Sequence, residues 1–259
     1  DGVTNLVSSV GVVGSDVTGV GTARLRLSAC EYGGDKGIFG YGYTTSDVSM
    51  TNLVSNAGVV ATDVTGVGTA RSYPSACSYG DDKGIFGYGE VTSGSLLSLT
   101  NLVSNAGVVA SDVTGVGTAR RTLAACEYGD DKGIFGYGYD GSAASMTNLV
   151  SNAGVVATDV TGVGTVRRNL TACSYGYDKG IFGFGYDGGY KSMTNLVSNV
   201  GVVATDVTGV GTARGNLAAT QYGGDKGIFF GTDGSPVTNL VSNVGVVATD
   251  VTGVGTGRA

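Results

Sequence analysis

The chain has 259 residues, enough for one large all-β domain, and its 15 basic and 21 acidic residues leave a net charge of −6. No lysine or arginine cluster marks a nucleic-acid face, and no apolar run reaches the length of a membrane span, so neither nucleic-acid binding nor membrane insertion is expected. The absence of histidine removes the usual base of Ser–His and Cys–His chemistry.

The chain is one cassette written repeatedly. Thr-Asn-Leu-Val-Ser begins at Thr4, Thr51, Thr100, Thr147, Thr194 and Thr238, at intervals of 47, 49, 47, 47 and 44 residues. Asp-Lys-Gly-Ile-Phe begins at Asp35, Asp82, Asp131, Asp178 and Asp225. A period of this size marks a propeller, a solenoid or an array. Residues 1–23 hold only the second half of a cassette, and full units run approximately 24–70, 71–119, 120–166, 167–213 and 214–259. A chain that starts at Asp1 without Met reads as processed, as a fragment, or as part of something longer.

Each unit predicts four short strands, seen most clearly around residues 71–119. Ser72–Tyr79 is the first, Lys83–Tyr88 the second, Leu99–Ser104 the third and Val108–Val113 the fourth. Val, Ile, Thr, Tyr and Phe dominate them, as a half-buried pleated surface prefers. Glycine-bearing turns at 79–82 and 104–107 join them in pairs. No segment carries helical periodicity, and parallel strands would need helical crossovers, so antiparallel meanders are expected. Four strands per unit fit a propeller blade better than an immunoglobulin-like sandwich, which does not repeat internally.

The run Arg71-Ser-Tyr-Pro-Ser-Ala-Cys-Ser-Tyr-Gly-Asp-Asp-Lys-Gly-Ile-Phe-Gly-Tyr-Gly, followed by a variable stretch and a third and fourth strand, resembles kelch-type propeller repeats along essentially the whole chain. The double glycine is split as Gly87-Tyr88-Gly89, the kelch tryptophan is absent, and the last unit reads Gly227-Ile-Phe-Phe-Gly231. The resemblance implies an all-β propeller of about 47-residue, four-stranded antiparallel blades. Five blades are complete and one is half a blade, closing as a five- or six-bladed ring.

Cys30, Cys77, Cys126 and Cys173 occupy one repeat position, with Thr220 in the fifth copy. Packed sheets stand about 10 Å apart and a disulfide needs Cα atoms within about 7 Å, so these should be unpaired, packed as small hydrophobes. Acidic turns such as Gly80-Asp81-Asp82 lack a calcium-loop pattern, no helix follows any Gly-x-Gly, and neither a metal nor a cofactor is expected.

Repeated charges read as structural: Asp63 with Arg71, Asp112 with Arg120, Asp159 with Arg167, and Asp206 with Arg214, the carboxylates capping turns and the arginines bridging units. Copies differ in two places. One follows the opening arginine, at 25–27, 72–74, 121–123, 168–170 and 215–217; the other follows the second strand, at 43–49, 90–98, 139–145, 186–192 and 232–237. In an up-and-down blade both connections leave by the same end. Tyr43, Tyr73, Tyr139, Tyr186 and Tyr190, with Arg121 and Arg168, are therefore the candidate binding residues of one rim. Free drift of exposed loops is the competing account of that variation.

The expected function is non-catalytic: a propeller that recognises a protein or glycan in an extracellular or virion-associated setting. A structural role in a larger assembly, such as a virion, tail or surface fibre, is the alternative, with self-association through the unpaired half-blade. A hydrolase or lyase on a propeller scaffold is a further one, and it would need a strongly shifted carboxylate pair in the central channel.

Overall fold

A computed structural model describes residues 2–8, 13–231 and 237–252. Among them there is no helix, and the strands form five three-stranded sheets and one two-stranded sheet, every pairing antiparallel. The two-stranded sheet pairs β1 (Thr4–Val7) with β2 (Val13–Val17). The first unit then builds β3 (Ser28–Tyr32), β4 (Lys36–Gly40) and β5 (Thr51–Val54) into a meander. The second repeats it with β6 (Ser75–Tyr79), β7 (Lys83–Gly87) and β8 (Thr100–Val103).

In the third unit, β9 (Ala124–Tyr128) precedes two longer strands, β10 (Lys132–Tyr139) and β11 (Ala143–Val150). The fourth holds β12 (Thr171–Tyr175), β13 (Lys179–Gly183) and β14 (Thr194–Val197). The fifth holds β15 (Ala218–Tyr222), β16 (Lys226–Phe230) and β17 (Thr238–Val241). Part of the 1–23 and 214–259 units, and residues 232–236 of the last variable stretch, lie outside the described residues.

In the five full units the expected fourth strand is reduced to isolated bridges, whereas in the opening half-unit it forms β2. Val113 bridges Thr100 and Val109 bridges Val103, so four steps on one side oppose three on the other. That is a β-bulge. Asn101 fills the gap: its Nδ2 donates to the Ala110 carbonyl at 3.0 Å and to Asp112 Oδ1 at 2.9 Å. A side chain thus takes an acceptor that an unbroken ladder would have used.

The core lies between units. Each of four hydrophobic clusters draws on two consecutive repeats, as when Cys77, Tyr79, Ile85 and Tyr88 meet Leu123, Phe135 and Val150. Phe86, Phe135, Phe182 and Phe229 are fully buried, each against a glycine of the preceding unit. Full burial of a phenylalanine stabilises by about 1.5–3 kcal/mol. Main-chain hydrogen bonds tie neighbours at both ends: Gly80 N donates to Asp131 O at 2.7 Å, and Gly89 N donates to Arg120 O at 2.9 Å.

One glycine position records the packing. A Cβ on Gly84, Gly133, Gly180 or Gly227 would stand 2.6 Å from the cysteine Sγ of the unit before. The four cysteines are free, and burial raises their thiols, Cys30 and Cys173 to about 12. Gly37, the first-unit equivalent, has only its own sheet nearby.

Candidate functional site

Three sets of polar groups stand apart in this architecture. The first is buried between units. Arg71, Arg120 and Arg167 have no exposed surface and Arg214 almost none. Nη2 of Arg71 donates to Asn101 Oδ1 at 2.8 Å and that of Arg120 to Asn148 Oδ1 at 2.6 Å, and Arg167 and Arg214 use Asn195 and Asn239 the same way. Each guanidinium lies over an aromatic ring of the preceding unit: Arg71 over Tyr41 at 3.9 Å, Arg120 over Tyr88 at 4.8 Å, Arg167 over Tyr137 at 4.8 Å, Arg214 over Phe184 at 4.3 Å.

The carboxylates complete this layer. Asp112 accepts from Thr69 Oγ1 at 2.7 Å and from Asn101, and Asp63, Asp159 and Asp206 make the equivalent bonds. Hydrogen bonds from Thr22 and Asn52 hold the Asp63 carboxyl below the usual carboxylate range. The aspartates accept from turn amides and the arginines reach the preceding unit, and each ion pair of this layer joins an aspartate to the arginine that opens its own unit. Asp63 faces Arg24 at 3.7 Å, and Asp159 faces Arg120 at 3.2 Å. The reason is the sheet: the aspartate lies beside the third strand, whose asparagine holds the arginine that opened the same unit, while the arginine eight residues later in the chain already belongs to the next one.

The second set lines a cleft of about 160 Å³ where the first strands of all five units meet. Glu31, Ser78, Glu127, Ser174 and Gln221 occupy one strand position there. Burial pushes the Glu127 carboxyl up to about 7, with Glu31 and the turn carboxylates Asp81, Asp130 and Asp131 adding to the rise. The sequence reading did not single out Glu31 or Glu127. The available signal was the alternation Glu, Ser, Glu, Ser, Gln immediately after the near-constant cysteine position. Among the described residues no cluster of three or more acidic or sulfur ligands could hold a metal ion. The turn carboxylates have protein partners instead: Asp82 accepts from Lys83 at 2.7 Å and from Asn105 at 2.9 Å.

The third set is the rim. Isolated bridges Leu25–Tyr43, Ser72–Glu90, Arg121–Tyr139 and Arg168–Tyr186 hold the two variable stretches of each of the first four units side by side. All seven candidate residues lie in this band, joined by stacking. Arg26 covers Tyr43 at 5.5 Å and Tyr73 at 4.7 Å. Arg121 covers Tyr73 at 5.7 Å and Tyr139 at 5.1 Å, and Arg168 covers Tyr139 at 4.9 Å and Tyr186 at 5.3 Å. Tyr190 closes the row edge-on to Tyr186 at 5.5 Å. The result is an alternating arginine–tyrosine ladder across four units.

Local backbone chemistry builds the ladder. The second residue after each opening arginine has a left-handed φ: Arg26 at 59°, Tyr73 at 52°, Thr122 at 52°, Asn169 at 54° and Asn216 at 56°. This turns the chain outward, and Tyr73 N donates to Arg26 O at 2.9 Å, linking one turn to the next. Asparagine accepts that conformation readily, whereas arginine and tyrosine carry its strain. Sequence reading missed Arg26, Asp47 and Glu90. Arg26 sits one place further along than Arg121 and Arg168, so alignment alone hid its part in the same row.

Arg121 Nη1 donates to both carboxylate oxygens of Glu90 at 2.8 Å. Asp47 Oδ2 accepts from Thr92 Oγ1 at 2.7 Å, while its Oδ1 is buried without a partner. A cavity of about 200 Å³ opens among these groups at the junction of the first and second units. Comparison with protein-family models gave no match, and neither did comparison with curated proteins.

Proposed function

We propose that the chain is a non-catalytic binding propeller, kelch-like in layout, that grips a protein or glycan through the arginine–tyrosine ladder. The units stand as blades round the cleft that their first strands share, which supports five complete blades. The half-unit fits the place of a sixth blade's outer strands. Leu6 lies against the Gly58 position as Leu53 lies against Gly107 one unit later.

One observation carries the binding role. The ladder is continuous across four units, yet the fold does not need it, because the fifth unit forms the same sheet with Gly215 and Asn216 in its place. Tyrosine and arginine supply large, stiff contact area and are enriched where binding energy concentrates. The test compares capture of glycans and of proteins from a relevant source by the parent and by a Tyr139→Ala/Arg168→Ala double variant. At least a tenfold loss in the variant is expected; undiminished capture would remove the ladder from the function.

A second reading, a component of a larger assembly, is favoured by the two end faces. Phe39 is only partly buried where its four counterparts are fully so, and the strand β15 face is largely exposed. Concentration-dependent association in sedimentation, abolished by Phe39→Ser, is the expected sign; a monomer at all concentrations would end that reading.

A further inference from the structure

We infer that the cavity between the first and second units is a subsite for one neutral sugar ring, a terminal residue of a glycan. The inference rests on the ladder being a recognition surface, and it goes further by naming the ligand class and its place. The walls carry both signs of charge without pairing them to each other. The Arg26 guanidinium lies over the rings of Tyr43 and Tyr73, and among the described residues its N–H groups meet no acceptor. The same lining holds Asp47, with a buried and unpartnered Oδ1, and Glu90, already tied to Arg121. Ser72 also lines the cavity.

An anion entering here would meet two carboxylates, and a cation would meet Arg26. A neutral polyol meets neither objection, since each hydroxyl both donates and accepts, so one ring can receive from Arg26 and give to the acidic wall. Tyr43 in the lining adds an aromatic wall for the apolar side of a pyranose. The volume is below the roughly 300–1,000 Å³ of drug-sized sites, which limits the occupant to a single ring. No other junction repeats the set. Tyr73, Thr122 and Asn169 replace Arg26 at the following junctions, and Tyr139, Tyr186 and Thr232 replace Glu90.

The test titrates glucose, galactose, mannose, N-acetylglucosamine and, separately, glucuronate and sialic acid against the full chain, read by tryptophan-independent methods such as calorimetry and ligand-observed NMR. Binding of at least one neutral sugar is expected. Arg26→Asn, a residue the fourth and fifth units already carry at this left-handed position, should weaken it at least tenfold, as should Asp47→Asn. Tyr177→Ala, at an exposed turn outside the rim, should leave it unchanged. Binding of acidic sugars alone, or neutral binding indifferent to Arg26→Asn and Asp47→Asn, would overturn the inference. If no sugar binds while Tyr139→Ala/Arg168→Ala still abolishes partner capture, the subsite falls and the ladder stands. If neither set of variants alters any binding, both fall.

Discussion

Arg120 and Arg121 are neighbours in the chain, as are Arg167 and Arg168, and in each pair the two side chains do different work. Arg120 is fully buried, lies over Tyr88 and donates to Asn148; Arg121 is partly exposed, lies over Tyr73 and Tyr139 and holds Glu90. Both stack on tyrosine, so the contact itself does not separate them. The surroundings do. The inner arginine opens every unit beside the asparagine that receives it, whereas the outer one appears only in units three and four. Successive residues of an extended chain face opposite ways, which places a fold-making group and a candidate recognition group one bond apart.

The largest expected effect breaks the inner half of that pair. Arg120→Ala leaves the buried Asn148 Oδ1 without its donor and removes a fully buried side chain, and should destabilise by about 3 kcal/mol, read as a drop in the urea midpoint. A loss below about 1 kcal/mol would show that the buried layer is not what joins the units.

The next effect sharpens a second contrast, between interior and end. Gly133→Ala places a methyl 2.6 Å from Cys77 Sγ and should cost about 1–3 kcal/mol. Gly37→Ala, whose nearest neighbour is Val54 at 3.6 Å, should be close to neutral by the same denaturation assay. Equal losses would mean that the first unit's face is covered after all.

Glu127 provides a pH test of the cleft. Its carboxyl is raised from 4.5 to about 7 in the folded chain, so between these values the folded form holds a proton that the unfolded form releases. Stability therefore falls as pH rises through this window, and the loss is complete above it. Glu127→Gln should gain roughly 1–2 kcal/mol over the parent at pH 8, after allowance for solvent screening, and nothing at pH 4. Denaturation curves at the two pH values that showed equal gains would contradict the assignment. Gln221 already occupies this position in the fifth unit.

The smallest stability effect belongs to the rim. Arg168→Ala should change folding free energy by less than about 1 kcal/mol, since exposed cation–π contacts are worth little, while lowering partner capture. A large destabilisation would make the ladder a structural strut.

The period, the all-β antiparallel character and the grouping of divergent stretches were legible in the chain, because strand patterning and turn glycines act over a few residues and recur in every copy. Three things were not. The fourth segment reads as a strand by composition, but Asn101 and its equivalents divert a main-chain acceptor and break it with a bulge. Asp63 and Arg71 read as two structural charges of every repeat, but that Asp63 faces Arg24 is decided by sheet pairing. Arg26 joins the rim row from a different repeat position than Arg121 and Arg168, which becomes visible only when the units are set side by side. Local chemistry wrote the cassette; contacts between copies, far apart in sequence, assigned each charge its partner, because those partners meet only after one sheet has packed on the next.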